Sequence, residues 1–221
     1  MFRRTLTPSG RGKIASRARL LAAAKILFAA EGYEYTTTAA IARLAGTSES
    51  QLMKHFGNKL GLLEDIFDEA WVEITAQVQQ AIAQVGSPVE KLRLIGQTVV
   101  ETIDKDPELK LLMLLEGRRV RKAGGLALTK GFLVFVRLID TVFHEMRTKE
   151  LLRPNLHPQA IRSALVGMLE GMLRDRFLAE RAGYPSEYNL SELWPIVNVV
   201  LASFVVPDKE LALRRFLRPR G

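Results

Sequence analysis

Hydrogen-bonding side chains of several kinds lie close together in residues 48–55, and their spacing favours one kind of chemistry. Ser48 and Gln51 have the spacing of a capping box, which predicts that a helix begins here. Leu52 and Phe56 then share one face, so the side chains that point outward are Glu49, Ser50, Gln51, Met53 and Lys54. Such a helix fits the major groove of B-DNA, where glutamine pairs with adenine, lysine with guanine or phosphate, and glutamate accepts from cytosine. Met53 offers an apolar contact, as to a thymine methyl group.

Polar residues on both sides of this segment are suited to phosphate. Thr37 and Thr38 lie at the predicted start of the preceding helix, and Lys59 lies at the start of the next one. His55 is equally suited to a hydrogen bond within the protein, and Thr37 and Ser48 would be good helix caps with no nucleic acid present. Gln51 and Lys54 are the residues that we expect to read base sequence.

A helix-turn-helix has to position these residues, and the apolar spacing predicts one. It indicates a first helix that begins after Ser16 and ends at Gly32, a short second helix between Thr37 and Gly46, and the segment above as the third. A long helix follows Asn58. We therefore predict a basic arm at residues 1–15, a helix-turn-helix domain at 16–60 and a larger helical domain at 61–221.

The charge is concentrated where these elements lie. Residues 1–60 contain ten Lys and Arg residues but three acidic ones, so they hold seven of the eight net positive charges. Binding to a polyanion needs such a concentration, although a solvated basic face with no partner would look the same. The arm could follow phosphates or enter a minor groove, or remain a tail without contacts; its basic residues are Arg3, Arg4, Arg11 and Lys13.

The remainder of the chain also has helical spacing, so the predicted fold class is all-α. Residues 159–177 and 193–206 are apolar on more than one side, which exceeds the needs of a helix with one buried face. We infer that they meet a second copy as a four-helix bundle; the alternative is that both are central helices of a monomer. The expected dimer interface consists of Ala160, Ala164, Gly167, Gly171, Ile196, Val200 and Phe204.

Composition and motifs argue against other classes of protein. The chain has no Cys, and its three His residues are too scattered for a metal site. It contains no phosphate loop, dinucleotide fingerprint or nucleophile elbow, so a helical enzyme is a remote alternative and no metal or cofactor is expected. No apolar run approaches the ~18 residues of a membrane span, and the beginning lacks a secretory signal. We expect a cytoplasmic protein without membrane contacts.

The first sixty residues resemble the DNA-binding region of TetR-family transcriptional regulators. The similarity begins in residues 20–24, includes Gly32-Tyr33 and Thr36-Thr37, and is most specific at residues 45–59, which read Ala-Gly-Thr-Ser-Glu-Ser-Gln-Leu-Met-Lys-His-Phe-Gly-Asn-Lys. Four residues depart from the family pattern, namely Thr47, Ser50, Met53 and Leu60. Met53 replaces a frequent Tyr whose hydroxyl contacts a phosphate, and a thioether cannot donate that bond.

This resemblance implies a homodimeric repressor that a small molecule releases from a palindromic operator. The helical body would bind the effector and tilt the long helix, which changes the spacing of the two recognition helices. Its many Leu, Met and Phe residues suggest an apolar or amphipathic effector, with candidate pocket residues Met113, Glu116, Arg119, Phe135, His144 and Met168. The alternative is a DNA-binding protein whose body recruits a protein partner and has no small-molecule pocket.

Overall fold

The computed structural model describes residues 8–117 and 129–206, with side chains from residue 14 onward. These parts are helical, apart from one isolated antiparallel bridge between Leu152 and Val205, which confirms the predicted all-α class. The helices are α1 (Pro8–Glu31), α2 (Thr38–Leu44), α3 (Glu49–Phe56), α4 (Lys59–Ile82), α5 (Pro88–Asp104), α6 (Pro107–Leu115), α7 (Lys130–Thr148), α8 (Pro158–Ala182) and α9 (Leu190–Phe204).

Short polar side chains begin several of these helices as predicted. The Thr37 hydroxyl accepts from the Ala40 amide at 3.1 Å, and the Asn58 side-chain oxygen accepts from the Gly61 amide at 2.9 Å. Asp106 caps α6 in the same way, before Pro107 in its first turn. Each cap satisfies an amide that the helix leaves without an internal partner, which fixes where the helix begins.

The first helix is longer than the sequence predicted. Ser16 was expected to cap it, but α1 begins at Pro8, so part of the predicted arm is helical. Proline is tolerated in the first turn of a helix because its missing amide has no intrahelical partner there. The glycines at positions 10 and 12, which suggested an irregular arm, lie within the first turns of α1.

One compact unit lies within Met1–Val72 and Ile103–Phe132. Its core is formed by apolar side chains of α1, α2, α3, the first half of α4 and α6; among those that are fully buried are Leu20, Ile41, Leu52, Leu62, Leu63 and Leu112. Helix α6 packs on α1, and Lys25 of α1 forms an ion pair with Asp106 at the start of α6. The unit therefore extends beyond the residues 16–60 predicted as the DNA-binding domain.

A second compact unit lies within Glu73–Thr102 and Leu133–Gly221. Helices α8 and α9 pack on each other in this unit. Lys91 of α5 pairs with Glu145 of α7 at 2.7 Å, and Arg162 of α8 pairs with Asp140 of α7 at 2.5 Å. These ion pairs connect three helices around an apolar interior.

Several predicted residues lie outside the described side chains, namely Arg3, Arg4, Arg11, Lys13 and Arg119. Within the described part of the chain, no helix is both long enough and apolar enough to cross a bilayer.

Candidate nucleic-acid interface

Helix α3 is fixed at both ends and along its apolar face. The Ser48 hydroxyl accepts from the Gln51 amide at 3.3 Å, as the capping-box spacing predicted. Gly57 ends the helix at φ +73°, a conformation in which glycine carries no steric penalty, and its amide donates to the Met53 carbonyl at 2.8 Å. Leu52 is fully buried, and Phe56 lies beside it in the same core. This anchoring leaves one face of α3 turned away from the core.

The outward face carries the five residues that the sequence placed there. Glu49, Ser50, Gln51, Met53 and Lys54 are all exposed. Met53 is an apolar side chain, but it lies on the face of α3 opposite the core, and 47% of its surface is exposed. The face combines acceptor, donor, cationic and apolar groups, and the major groove displays complementary chemistry for each of them.

The His55 side chain points toward α1 and Phe56. Its Nε2 lies 3.4 Å from the Ser16 hydroxyl of α1, and its ring packs at a tilt against Phe56 with centroids 5.8 Å apart. The side chain is half-buried. These contacts favour the interpretation in which His55 forms a hydrogen bond within the protein.

The beginnings of α2 and α3 are bonded to each other. The Thr38 hydroxyl of α2 donates to the Glu49 carboxylate of α3, while Ser48 and Ser50 bring their hydroxyl oxygens within 3.0 Å. A hydroxyl has one proton, so Thr38 cannot donate to Glu49 and to a phosphate simultaneously. Thr37 remains exposed beside it.

The Lys59 ammonium is hydrogen-bonded within the protein. Its ammonium donates to the carbonyls of Tyr33, Glu34 and Thr36 at 2.8, 3.2 and 3.0 Å, and it lies 4.5 Å from the centre of the Tyr33 ring. An ammonium has three protons, and all three have an acceptor here. In this structure Lys59 connects the beginning of α4 to the turn between α1 and α2.

Two arginines of α1 hold the remaining helices. Arg17 forms ion pairs with Asp65 and Glu69 of α4, and its guanidinium lies 5.5 Å from the centre of the Phe56 ring. Burial alone would lower the pKa of Arg17, but the hydrogen bonds that it donates to the two carboxylates outweigh this effect and raise that pKa. Arg19 donates to the Ala45 carbonyl at the end of α2 at 3.0 Å. These contacts of Arg17 and Arg19 were not predicted from the sequence, where those of Arg17 are indicated by the pair of acidic residues four positions apart on α4.

The candidate effector residues are divided between the two compact units. Met113 is half-buried and Glu116 is buried in the first unit, whereas Phe135 is buried and Met168 half-buried in the second. His144 is exposed, between the buried residues Phe143 and Met146 of α7. The described residues contain no group of three or more His, Cys, Asp or Glu side chains that could hold a metal ion.

The candidate dimer residues lie on the accessible side of α8 and α9. Ala160, Ala164, Gly167 and Ile196 are exposed, and a methyl group built on Gly167 or Gly171 would meet nothing within 4 Å. Val199 of α9 is 68% exposed as well.

Residues 20–66 match the model of the family described as bacterial regulatory proteins, tetR family. The nucleoid occlusion factor SlmA of Vibrio vulnificus is 24% identical over 184 residues, which cover 81% of this chain and 91% of that protein.

Solved structures share the fold over most of the chain. The fatty acid degradation regulator FadR of Bacillus halodurans has a TM-score of 0.73 and 20% identity, and the alignment covers 83% of this chain and 97% of that one. FadR of Bacillus subtilis, solved in complex with stearoyl-CoA, has a TM-score of 0.68 and 20% identity, with 83% and 95% covered.

The family match includes α2, α3 and the start of α4, which are the elements that carry and support the exposed face. The fold extends the similarity to the helical remainder. Residues 20–66 are therefore similar to the tetR family of bacterial regulatory proteins, and the helical fold is similar to that of the two FadR structures.

Proposed function

We propose that this chain is a homodimeric repressor that binds a palindromic operator through α3 and is released by a small apolar or amphipathic effector. The observation that carries the proposal is the exposed row on α3, which is held by a capped helix with a buried opposite face. Gln51 reads a base edge, and Lys54 reads a base edge or binds a phosphate. Glu49 accepts a hydrogen bond from a base, and Met53 contacts a thymine methyl group.

The phosphate contacts lie around this row. Thr37 is exposed at the start of α2, and the Ser48 and Ser50 hydroxyls are exposed at the start of α3. Such contacts set the register of the protein on the duplex, whereas base contacts set its sequence preference. Lys59 contributes by holding the turn that carries Thr37, because its ammonium is occupied by three carbonyls.

A homodimer is supported by the open side of α8 and α9. An isologous pair of these helices would cover Ile196 and Val199, and the exposed small residues of α8 would let the helix backbones approach closely. A two-fold axis then requires a palindromic operator, with half-sites about 34–36 Å apart or a multiple of that distance.

Two variants test the DNA-reading role, with one control for each. Lys54→Ala should weaken operator binding; if Lys54 contacts a phosphate, the magnitude of the slope of log K against log salt falls by about 0.9 for each half-site. Gln51→Ala should reduce preference for one base pair in each half-site by about 1–3 kcal/mol. Lys105→Ala and Gln79→Ala are the controls, because these exposed residues lie between α5 and α6 and on α4. If both test variants bind a selected operator as the wild type does, α3 does not read DNA.

The dimer is tested separately by sedimentation. Gly167→Leu places a large side chain on the open face of α8 and should convert the dimer to a monomer. Gly86→Leu is the control, because that position is also open but lies between α4 and α5. An unchanged mass for Gly167→Leu would exclude this interface.

A small-molecule effector is supported by the stearoyl-CoA in the structure of FadR from Bacillus subtilis, because that ligand is amphipathic. Thermal unfolding of the purified chain with acyl-CoA thioesters of increasing length tests this class, since a ligand that binds the folded state raises the Tm. Operator release by the same compound would support the repressor model. Stabilisation without release would show binding that is not coupled to DNA.

A second candidate function is favoured by the similarity to nucleoid occlusion factors over most of the chain. In that case the DNA-bound body recruits a protein partner and no small molecule releases it. The genomic distribution of bound sites separates the two functions. A repressor occupies a few operators beside promoters, whereas a nucleoid-wide role requires many sites spread along the chromosome.

A further inference from the structure

The Thr38–Glu49 hydrogen bond connects the exposed row on α3 with the start of α2. Glu49 is the first residue of α3 and is exposed, and Thr38 is the first residue of α2 and is half-buried. The Thr38 hydroxyl donates to Oε1 of Glu49. This is a contact between the two helices of the helix-turn-helix, at the end where both begin.

The bond restricts a side chain that is otherwise mobile. A glutamate has three side-chain torsions, and ordering them on DNA costs conformational entropy. Threonine is branched at Cβ and has few rotamers, so it is a stiff donor. The neighbouring Thr37 caps α2 through the Ala40 amide, which fixes the backbone that carries Thr38. The Thr38 hydroxyl holds Oε1 of Glu49 in this way. The other oxygen of the carboxylate, Oε2, can only accept a hydrogen bond.

A carboxylate on a DNA-reading face needs a specific partner. The phosphates repel it, and the major-groove edges of guanine and the O4 of thymine present acceptors that it cannot bond. Favourable partners in the groove are exocyclic amino groups, and cytosine N4 is the usual partner of a glutamate. A glutamate that is already oriented therefore selects a base by attraction and rejects others by repulsion.

We propose that Thr38 is a positioning residue that orients the Glu49 carboxylate toward the N4 amino group of one cytosine in each half-site. The inference rests on the proposed function, because it requires that α3 enters the major groove. Thr38 then affects the choice of base through Glu49, and does not contribute a phosphate contact of its own.

The experiment measures base preference with a duplex that the wild-type protein selects from a randomised pool. Each half-site position is replaced by the other three base pairs, and affinities are measured for full-length wild type and variants. Glu49→Gln should lower the preference for C·G at one position by about tenfold. Thr38→Val, which removes the hydroxyl and keeps the shape, should lower the preference at that same position by about threefold, since one neutral-to-charged hydrogen bond is lost. Thr38→Ser should retain it.

The control for the Thr→Val change is Thr141→Val. Thr141 is exposed on α7, and its hydroxyl donates to the Arg137 carbonyl within the helix. Its base preferences should equal those of the wild type. Far-UV circular dichroism and the thermal midpoint of Thr38→Val establish that it is folded, and Thr38→Ser provides a second test if it is not.

The outcomes are distinct. If Thr38→Val weakens binding to every duplex by one factor and keeps all base preferences, Thr38 is a phosphate contact and the inference is wrong. If Glu49→Gln leaves every preference unchanged, the carboxylate does not read a base and the inference is also wrong. If the wild-type protein selects no sequence from the pool, it is the proposed function that fails.

Discussion

Replacing Lys59 with methionine separates a structural role of this residue from a role in phosphate binding. The variant keeps most of the apolar stem and removes the ammonium, which donates to the carbonyls of Tyr33, Glu34 and Thr36. In the structure Lys59 holds the turn between α1 and α2, whereas the sequence analysis placed it among the phosphate contacts.

The expected loss of stability follows from the individual contacts. The bonds to Tyr33 and Thr36 are partly buried at 2.8 and 3.0 Å, whereas the bond to Glu34 is exposed at 3.2 Å and contributes little. Hydrogen bonds to a charged group are worth about 1.5–3 kcal/mol when buried, and partial solvation reduces each of these two to about 1 kcal/mol. The ammonium also lies 4.5 Å from the centre of the Tyr33 ring, which adds about 0.5–1 kcal/mol. Lys59→Met should therefore lower the free energy of unfolding by about 2–3 kcal/mol.

Two measurements on the full chain test this value and its origin. Urea denaturation gives the change in unfolding free energy, with Lys105→Met as the control for loss of an exposed charge. The salt dependence of DNA binding, measured where the variant is folded, should have the wild-type slope because no phosphate contact is lost. The reasoning is refuted if Lys59→Met is as stable as the wild type and the magnitude of its slope falls by about 0.9 for each half-site.

Two other predictions concern the first compact unit. Gly61→Ala should destabilise the chain by about 1–3 kcal/mol in urea denaturation, because the added Cβ would lie 2.2 Å from the Phe56 carbonyl oxygen. Gly86→Ala, whose Cβ would meet nothing within 4 Å, is the control, and equal stabilities would contradict the close approach of α3 and α4. Burial would raise the pKa of Asp106, but bonds from Lys25 and the Leu109 amide outweigh it and hold that pKa below its ordinary value of 3.8. The Asp106 carboxylate therefore stabilises the folded state at pH values above its ordinary pKa of 3.8. This contribution is lost as the pH falls through the lower pKa of the folded state. Asp106→Asn should reduce the acid-induced loss of stability, and an unchanged pH profile would exclude the ion pair with Lys25.

Features that depend on neighbouring residues were predictable from the sequence. The caps Thr37, Ser48 and Asn58 each accept from an amide three residues away, so residue type and spacing are sufficient to place them. The exposed row on α3 follows in the same way, because burial of Leu52 and Phe56 determines which side chains point outward. The start of α1 was wrong because a proline and two glycines are tolerated in a first turn that packing supports.

Features that depend on distant residues were not predictable. Lys59 finds its three acceptors 23 to 26 residues earlier in the chain, and nothing local to α4 indicates them. Asp106 caps α6 through the Leu109 amide three residues away, but its ion pair with Lys25 of α1 spans 81 residues, and α6 lies in the first compact unit with α1. The Thr38–Glu49 bond likewise joins two residues that spacing alone had assigned to separate DNA contacts.

The most direct test of the central claim is selection of duplexes from a randomised pool by the purified full chain, followed by a footprint on the enriched sequence. A helix-turn-helix dimer that presents the outward face of α3 should enrich one palindrome, and it should protect two half-sites about one helical turn or a multiple apart. Binding that stays uniform across the pool at every salt concentration, with no enriched sequence, would contradict the assignment of α3 as the reading helix.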